Sequence, residues 1–261
     1  MILISTLFLL AFGNESWQWL ALLWTLVPLT ALILFSRAKL PALQTPERVS
    51  GALSMLKNKG LWLCVAAIFL GGAAECTMAQ WASGYLEQSV GIPKVWGDIF
   101  GVALFSVMLG LGRTLYAKYG KRIESILLLS AVGATLCYLS AAVFNAPLVG
   151  LLSCALTGLF TAMLWPGCLI VADHKLPMGG VFMYAMMASG GDLGAAVGPQ
   201  LVGIITDTTE KSAAMADFAT RLGLSPEQLG LKLGMLVGML FPLAAIFVFL
   251  VIWKSRRKNV K

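Results

Sequence analysis

Seven stretches of this chain are each apolar for about as long as a lipid bilayer is thick: about 17–36, 61–84, 99–117, 125–144, 148–172, 180–206 and 230–253. A helix needs about 20 mostly apolar residues to cross a hydrocarbon core of about 30 Å. Lipid offers the backbone no hydrogen-bond partners, so each run has to satisfy its own N–H and C=O groups, as a helix does. The pattern therefore predicts an all-α membrane protein, with consecutive helices antiparallel wherever the turns are short. Composition agrees. The 261 residues are 59% hydrophobic and 12% charged, whereas soluble domains are about half apolar and about a quarter charged.

The first twelve residues, "MILISTLFLLAF", are apolar but too short to span. They have no basic start, and "GNESWQW" offers no small-residue cleavage site, so a signal peptide is disfavoured. They read instead as the outer end of a helix, with Asn14 and Glu15 in a turn and Trp17 and Trp19 at the interface. On that reading the chain begins in mid-helix, either as a fragment or at an internal start.

A net charge of +7 taken alone suits nucleic acid, but its distribution points elsewhere. If the tail "KSRRKNVK" is cytoplasmic and the chain crosses at every run, fourteen basic residues fall inside. They are Arg37, Lys39, Arg48, Lys57, Lys59, Lys118, Lys121, Arg122, Lys175, Lys254, Arg256, Arg257, Lys258 and Lys261. Only Lys94, Lys211, Arg221 and Lys232 fall outside, and Arg113 lies within a helix. This bias is the positive-inside rule, and nucleic acid is not an expected partner. Cys64, Cys76, Cys137, Cys154 and Cys168 all lie in apolar runs without metal-ligand spacing, so they read as small buried hydrophobes. His174, the only histidine, sits in a turn. No nucleophile with a base, phosphate loop or metal cluster is visible, so neither enzymatic activity nor a cofactor is expected.

The basic, proline-containing segment 37–59 reads as a cytoplasmic linker between two bundles, and "SGALSMLK" within it as a short interfacial helix. It separates an N-terminal part, 1–36, from a six-helix part, 60–254, which the basic tail 255–261 follows. "NAP" at 145–147 and "DHKLPMG" at 173–179 make tight turns. The longest outer loop, about 207–229, holds "SPEQ": Ser225 as cap, Pro226 as first helical residue and Gln228 reaching back.

Ionisable side chains within the spans are the sharpest functional signal, because each costs at least about 2.5 kcal/mol at a helix centre. Glu75 and Asp192 are mid-span, Arg113 lies near the inner end of its helix and Asp98 at that helix's outer mouth, where it also suits a helix cap. In "GGDLGAAVGP" the glycines at 190, 194 and 198 form one stripe suited to close helix packing. Asp192 stands about 200° from Gly190 and from Gly194, on nearly the opposite face. It should therefore meet a cavity or a partner: a proton, a solute hydroxyl or Arg113. Pro199 adds a kink. Gln80 and Trp81 lie about 140° and about 240° around from Glu75. An indole beside an amide suits a sugar ring, and it equally suits the interfacial aromatic belt. Trp165 in "MLWP" stands beside another kink and is a further ligand candidate.

"GLGRTLYAKYGKR", residues 110–122, resembles the loop signature that follows the second helix of each half in the major facilitator superfamily. It departs from that signature at Ala117, near the usual acidic position. "MAQWASGYLEQ", "GDIFGVALFSVMLGLGR" and "GGDLGAAVGPQLVGIITD" look closest to the fucose-permease-like, sugar-associated branch. The resemblance covers about residues 60–254 well and 1–59 loosely. It implies the carboxyl-terminal six-helix half of a two-bundle transporter, preceded by part of the fifth and the whole sixth helix. Each half is built of inverted three-helix repeats around a midplane site. Glu75, Arg113, Trp165 and Asp192 would then fall on the seventh, eighth, tenth and eleventh helices.

The expectation is a secondary transporter in the cytoplasmic membrane, its C-terminus inside. It would move a small polar, sugar-like solute with protons, through Glu75, Asp192, Arg113, Gln80, Trp81 and Trp165. If the chain is a fragment, its partner is the missing N-terminal half. The alternatives are a truncated or split product serving as a non-transporting subunit or sensor, and an efflux carrier of the same fold.

Overall fold

The computed structural model describes residues 2–39 and 52–259. Most of the 37–59 linker and part of "SGALSMLK" lie outside the described residues, as do the side chains of Arg48 and of the tail basics beyond Ser255. Among the described residues the chain is helical, with no strand. Six helical spans are long and apolar enough to cross a membrane: Asn14–Arg37, Lys59–Ser89, Lys94–Tyr119, Ile123–Val143, Pro147–Lys175 and Pro226–Ser255. The 180–206 run is not among the six. It forms one unbroken helix, Gly180–Lys211, but Asp192, Gln200 and six glycines dilute its apolarity.

Two compact units divide the chain, Met1–Glu47 and Arg48–Lys261. In the first, α1 (Ile2–Phe12) and α2 (Trp17–Arg37) are joined by a single helical turn at Asn14–Ser16. Gly13 makes the turn possible with φ 82°, and the Trp24 indole donates to Ser5 Oγ at 3.1 Å. The helix, turn and helix expected of residues 1–36 are therefore present.

The second unit begins with the short α3 (Ala52–Leu56) and the long α4 (Lys59–Gly84), which runs on through a π-helical turn, Tyr85–Ser89. After a break come α5 (Lys94–Trp96), a π-helical stretch (Gly97–Ala103) and α6 (Leu104–Tyr119). Then follow α7 (Ile123–Val143), α8 (Pro147–Thr161), α9 (Leu164–Lys175), α10 (Gly180–Lys211), α11 (Ala213–Arg221) and α12 (Pro226–Asn259). The start of α12 is built as the sequence predicts. Gln228 N–H donates to Ser225 Oγ at 3.1 Å, and Ser225 N–H donates back to Gln228 Oε1 at 3.0 Å. The α10 helix outruns its expected end at about Thr206, continuing to Lys211 because no glycine or proline stands between Thr206 and Ser212.

Taken in chain order, these helices form two groups of three: α4, α6 and α7, then the α8–α9 span, α10 and α12. The first member of each group packs on the second and third members of the other. Thus α4 meets α10 and α12, and α8 meets α6 and α7. The two first members also meet each other, as do the two third members. Three is odd, so the second group starts from the opposite end of the bundle and the two are inverted relative to each other.

The tightest seam joins α4 to α10, where the Gly190–Gly194–Gly198 stripe is buried. A Cβ on Gly194 would collide with the Phe69 carbonyl oxygen, and one on Gly198 would lie 2.8 Å from the Ala73 carbonyl oxygen. A Cβ on Gly72, across the seam, would come within 2.5 Å of the Gly191 carbonyl oxygen. Here backbone rests on backbone, which only glycine permits. Tyrosines fasten the middle and one end of the bundle. Tyr138 Oη donates to Ala74 O at 2.8 Å, and Tyr85 Oη donates to Ala141 O at 2.6 Å.

Substituting alanine separates this contact from glycine's weak helix propensity. Gly194→Ala should lower the thermal midpoint in detergent, by the equivalent of about 1–3 kcal/mol of overpacking. Gly110→Ala, whose Cβ would meet nothing within 4 Å, should leave it unchanged or raise it. Equal effects would contradict the seam.

Candidate functional site

The candidate residues named from the sequence divide between two places in the bundle. The first is near the middle of α4. Glu75 Oε1 lies 3.4 Å from Arg113 Nη2 of α6, with 15% of the glutamate side chain and 46% of the arginine side chain exposed. Arg113 Nε donates to the Ala162 carbonyl at 3.2 Å. That acceptor exists because the Pro147–Lys175 span breaks between α8 and α9, at Ala162 and Met163. An unbroken helix would satisfy Ala162 O with the N–H four residues on, but that residue is Pro166, which has none. Helical bonding resumes at Gly167 N–H, which donates to Met163 O at 2.8 Å. The kink expected at "MLWP" is thus present, and a cation from a neighbouring helix caps it. The second carboxylate oxygen, Glu75 Oε2, is buried without a hydrogen-bond partner among the described residues.

Trp165 follows the break. Its ring lies against the backbones of Gly191 and Gly72, where added Cβ atoms would sit 2.7 and 3.1 Å from ring carbons. Trp165 is therefore one residue from the level of Asp192 and about one turn from Glu75. Asp192 is exposed while Gly190, Gly194 and Gly198 are buried, the two-faced arrangement expected of α10. Arg113 pairs with Glu75, however, and no ion pair to Asp192 occurs among the described residues.

The second place is an open groove of about 500 Å³ between α4 and α10. Gln80, Trp81, Gln88, Pro199 and Gln200 line it. Gln80 lies five residues beyond Glu75, about 7.5 Å further along the axis. Trp81 spans the groove's base, its indole N–H donating to Pro199 O at 3.0 Å. That N–H is committed, so Trp81 offers the groove its ring alone.

Sequence reasoning missed Gln88 and Gln200. The signal was present: Trp81, Gly84 and Gln88 recur at i, i+3 and i+7, and Ala196, Pro199, Gln200 and Gly203 repeat that spacing on α10. Lys232, one of the basic residues assigned to the outer side, is a buried residue of α12. Its Nζ donates to Ala142 O at 3.3 Å and Phe144 O at 3.0 Å, satisfying carbonyls at the C-terminus of α7. Asp98 makes no helix cap; it accepts from the Ser83 hydroxyl. Among the described residues, no three His, Cys, Asp or Glu side chains gather as a metal ion would require.

Comparison with protein-family models and with curated proteins finds no significant match to this chain.

The buried half of the Glu75–Arg113 pair makes it testable by stability. Arg113→Gln strands a largely buried carboxylate and should cost roughly 1–2 kcal/mol, less than a fully buried pair because the arginine is half exposed. Adding Glu75→Gln should recover part of the lost thermal midpoint. A double variant as unstable as the sum of the two singles would show that the pair is not coupled.

Proposed function

We propose that this chain is the carboxyl-terminal, solute-binding half of a secondary transporter of the major facilitator type. It moves a small neutral hydroxyl-bearing solute through the cytoplasmic membrane, coupled to protons, with its C-terminus inside. The observation that carries the reading is the charged and amide-bearing face spread over α4, α6 and α10 at membrane depth. Exposed Asp192, half-exposed Arg113, Gln80, Gln88 and Gln200 are costly against lipid, so this face is assigned to a water-filled path.

Three further points support the reading. The two inverted groups of three helices match what the loop signature at 110–122 implies. The groove offers amides, each both donor and acceptor, beside an indole ring, a combination suited to hydroxyls on an apolar ring. Glu75 has one oxygen bound to a cation and another buried without a donor; a proton on that oxygen relieves the buried charge. Glu75 and Asp192 are assigned to the proton, Gln80, Trp81, Gln88 and Gln200 to the solute, and Trp165 to the wall between them.

A thermal-shift screen of the purified protein against hexoses, pentoses and nucleosides should find a stabilising solute. For that solute, accumulation driven by a pH gradient in vesicles that carry the complete transporter, both halves together, should be abolished by Glu75→Gln or by Asp192→Asn, while binding persists. If neither substitution alters gradient-driven accumulation, the coupling role is wrong.

A further inference from the structure

Three observations meet at the break between α8 and α9. The first is the missing donor: Pro166 withholds the N–H that would occupy Ala162 O. The second is the grip on the break from both sides. A Cβ on Gly71 of α4 would lie 2.9 Å from Leu164 Cβ and 3.0 Å from its carbonyl oxygen. A Cβ on Gly112 of α6 would lie 2.6 Å from Ala162 Cβ. Gly112 immediately precedes Arg113, so the arginine side chain leaves α6 beside the freed carbonyl. The third is the guanidinium itself, which is planar and rigid. With Nε held on Ala162 O at 3.2 Å, the direction of the remaining N–H groups is largely set, and Nη2 stands 3.4 Å from Glu75 Oε1.

We propose that Pro166 is a positioning residue for Glu75. By omitting one backbone N–H it leaves Ala162 O open, and that carbonyl orients Arg113 toward the carboxylate. In an unbroken helix the carbonyl is taken by the chain's own amide. Arg113, half exposed on its helix, then loses the anchor that aims it. The proline acts on a carboxylate that it does not touch, through a carbonyl and an arginine on two other elements. The proposal deepens the reading of Glu75 as a working group and rests on it.

The test is the rate at which a hydrophobic carbodiimide, which couples to protonated carboxyls, labels Glu75 at fixed pH, mapped by mass spectrometry. Pro166→Ala and Pro166→Gly each restore the N–H, and each should raise Glu75 labelling roughly three- to tenfold, the size expected when the net contribution of one half-exposed hydrogen bond is lost. Labelling of Asp192, with which Arg113 forms no ion pair among the described residues, should stay as in the unsubstituted protein. Arg113→Gln should raise Glu75 labelling at least as much, and adding Pro166→Ala to it should have no further effect. If both proline variants leave Glu75 at its original rate while Arg113→Gln raises it, the pair stands and the role of Pro166 is overturned. A parallel rise at Asp192, or additive effects in the double variant, overturns it too, because general loosening then explains the change. An unchanged rate in Arg113→Gln removes the pairing itself, and with it the reading of Glu75 on which the proposal rests.

Discussion

Contact of backbone with backbone along the α4–α10 seam sets the spacing of Glu75 and Asp192 and the floor of the groove in the larger unit. Gly72, Gly191, Gly194 and Gly198 bring the two axes close enough that carbonyl oxygens stand where side chains would otherwise be. That approach brings Gly191, the neighbour of Asp192, against Gly72, one turn from Glu75. It also lets the Trp81 indole reach a carbonyl on the opposite helix. Dispersion between closely approached backbones is the main attraction available to helices in lipid, since an apolar solvent supplies no hydrophobic drive to pair them. Residues with a Cβ at these positions would hold the helices apart, and the groove beside Trp81 would lose its floor.

Where the chain bends, its loose polar ends are tied by side chains from distant segments. Ala162 O takes an arginine and the end of α7 takes Lys232, while the C-terminal extension of α4 is reached by the Gln228 amide, which donates to Ser89 O at 3.3 Å. In a medium without water an untied carbonyl is expensive, so every break demands a donor from somewhere else in the fold. The breaks therefore dictate several of the long-range contacts, and the polar residues that serve them are structural and functional at once.

This division explains what was legible in the sequence. The opposition of Asp192 to the glycine stripe follows from the helical period alone, and so does the reciprocal cap of Ser225 and Gln228, whose partners are three residues apart. Both are properties of one helix. The pairing of Glu75 with Arg113 is not, because it depends on which of two candidate acids α6 comes to face, and nothing local in α6 distinguishes them. The bonds of Lys232 are hidden for the same reason, because its acceptors, Ala142 O and Phe144 O, belong to the end of α7 and not to its own helix. The groove escaped because its two stripes, each weak alone, gain meaning only when α4 and α10 are laid side by side.

The burial of α6 has its own consequence. Within the larger unit its span is the least enclosed, with 22% buried compared with 56% for the span containing α4. Its main partner is α8, so it is held chiefly along one side. Spanning helices adjust to bilayer thickness by tilting, at a cost of fractions of a kcal/mol per Å of mismatch. A helix wedged among several neighbours resists this more than one leaning against a single neighbour. Arg113 therefore rides on the least enclosed span of the larger unit, and its seat on Ala162 O depends on the contact of α6 with α8.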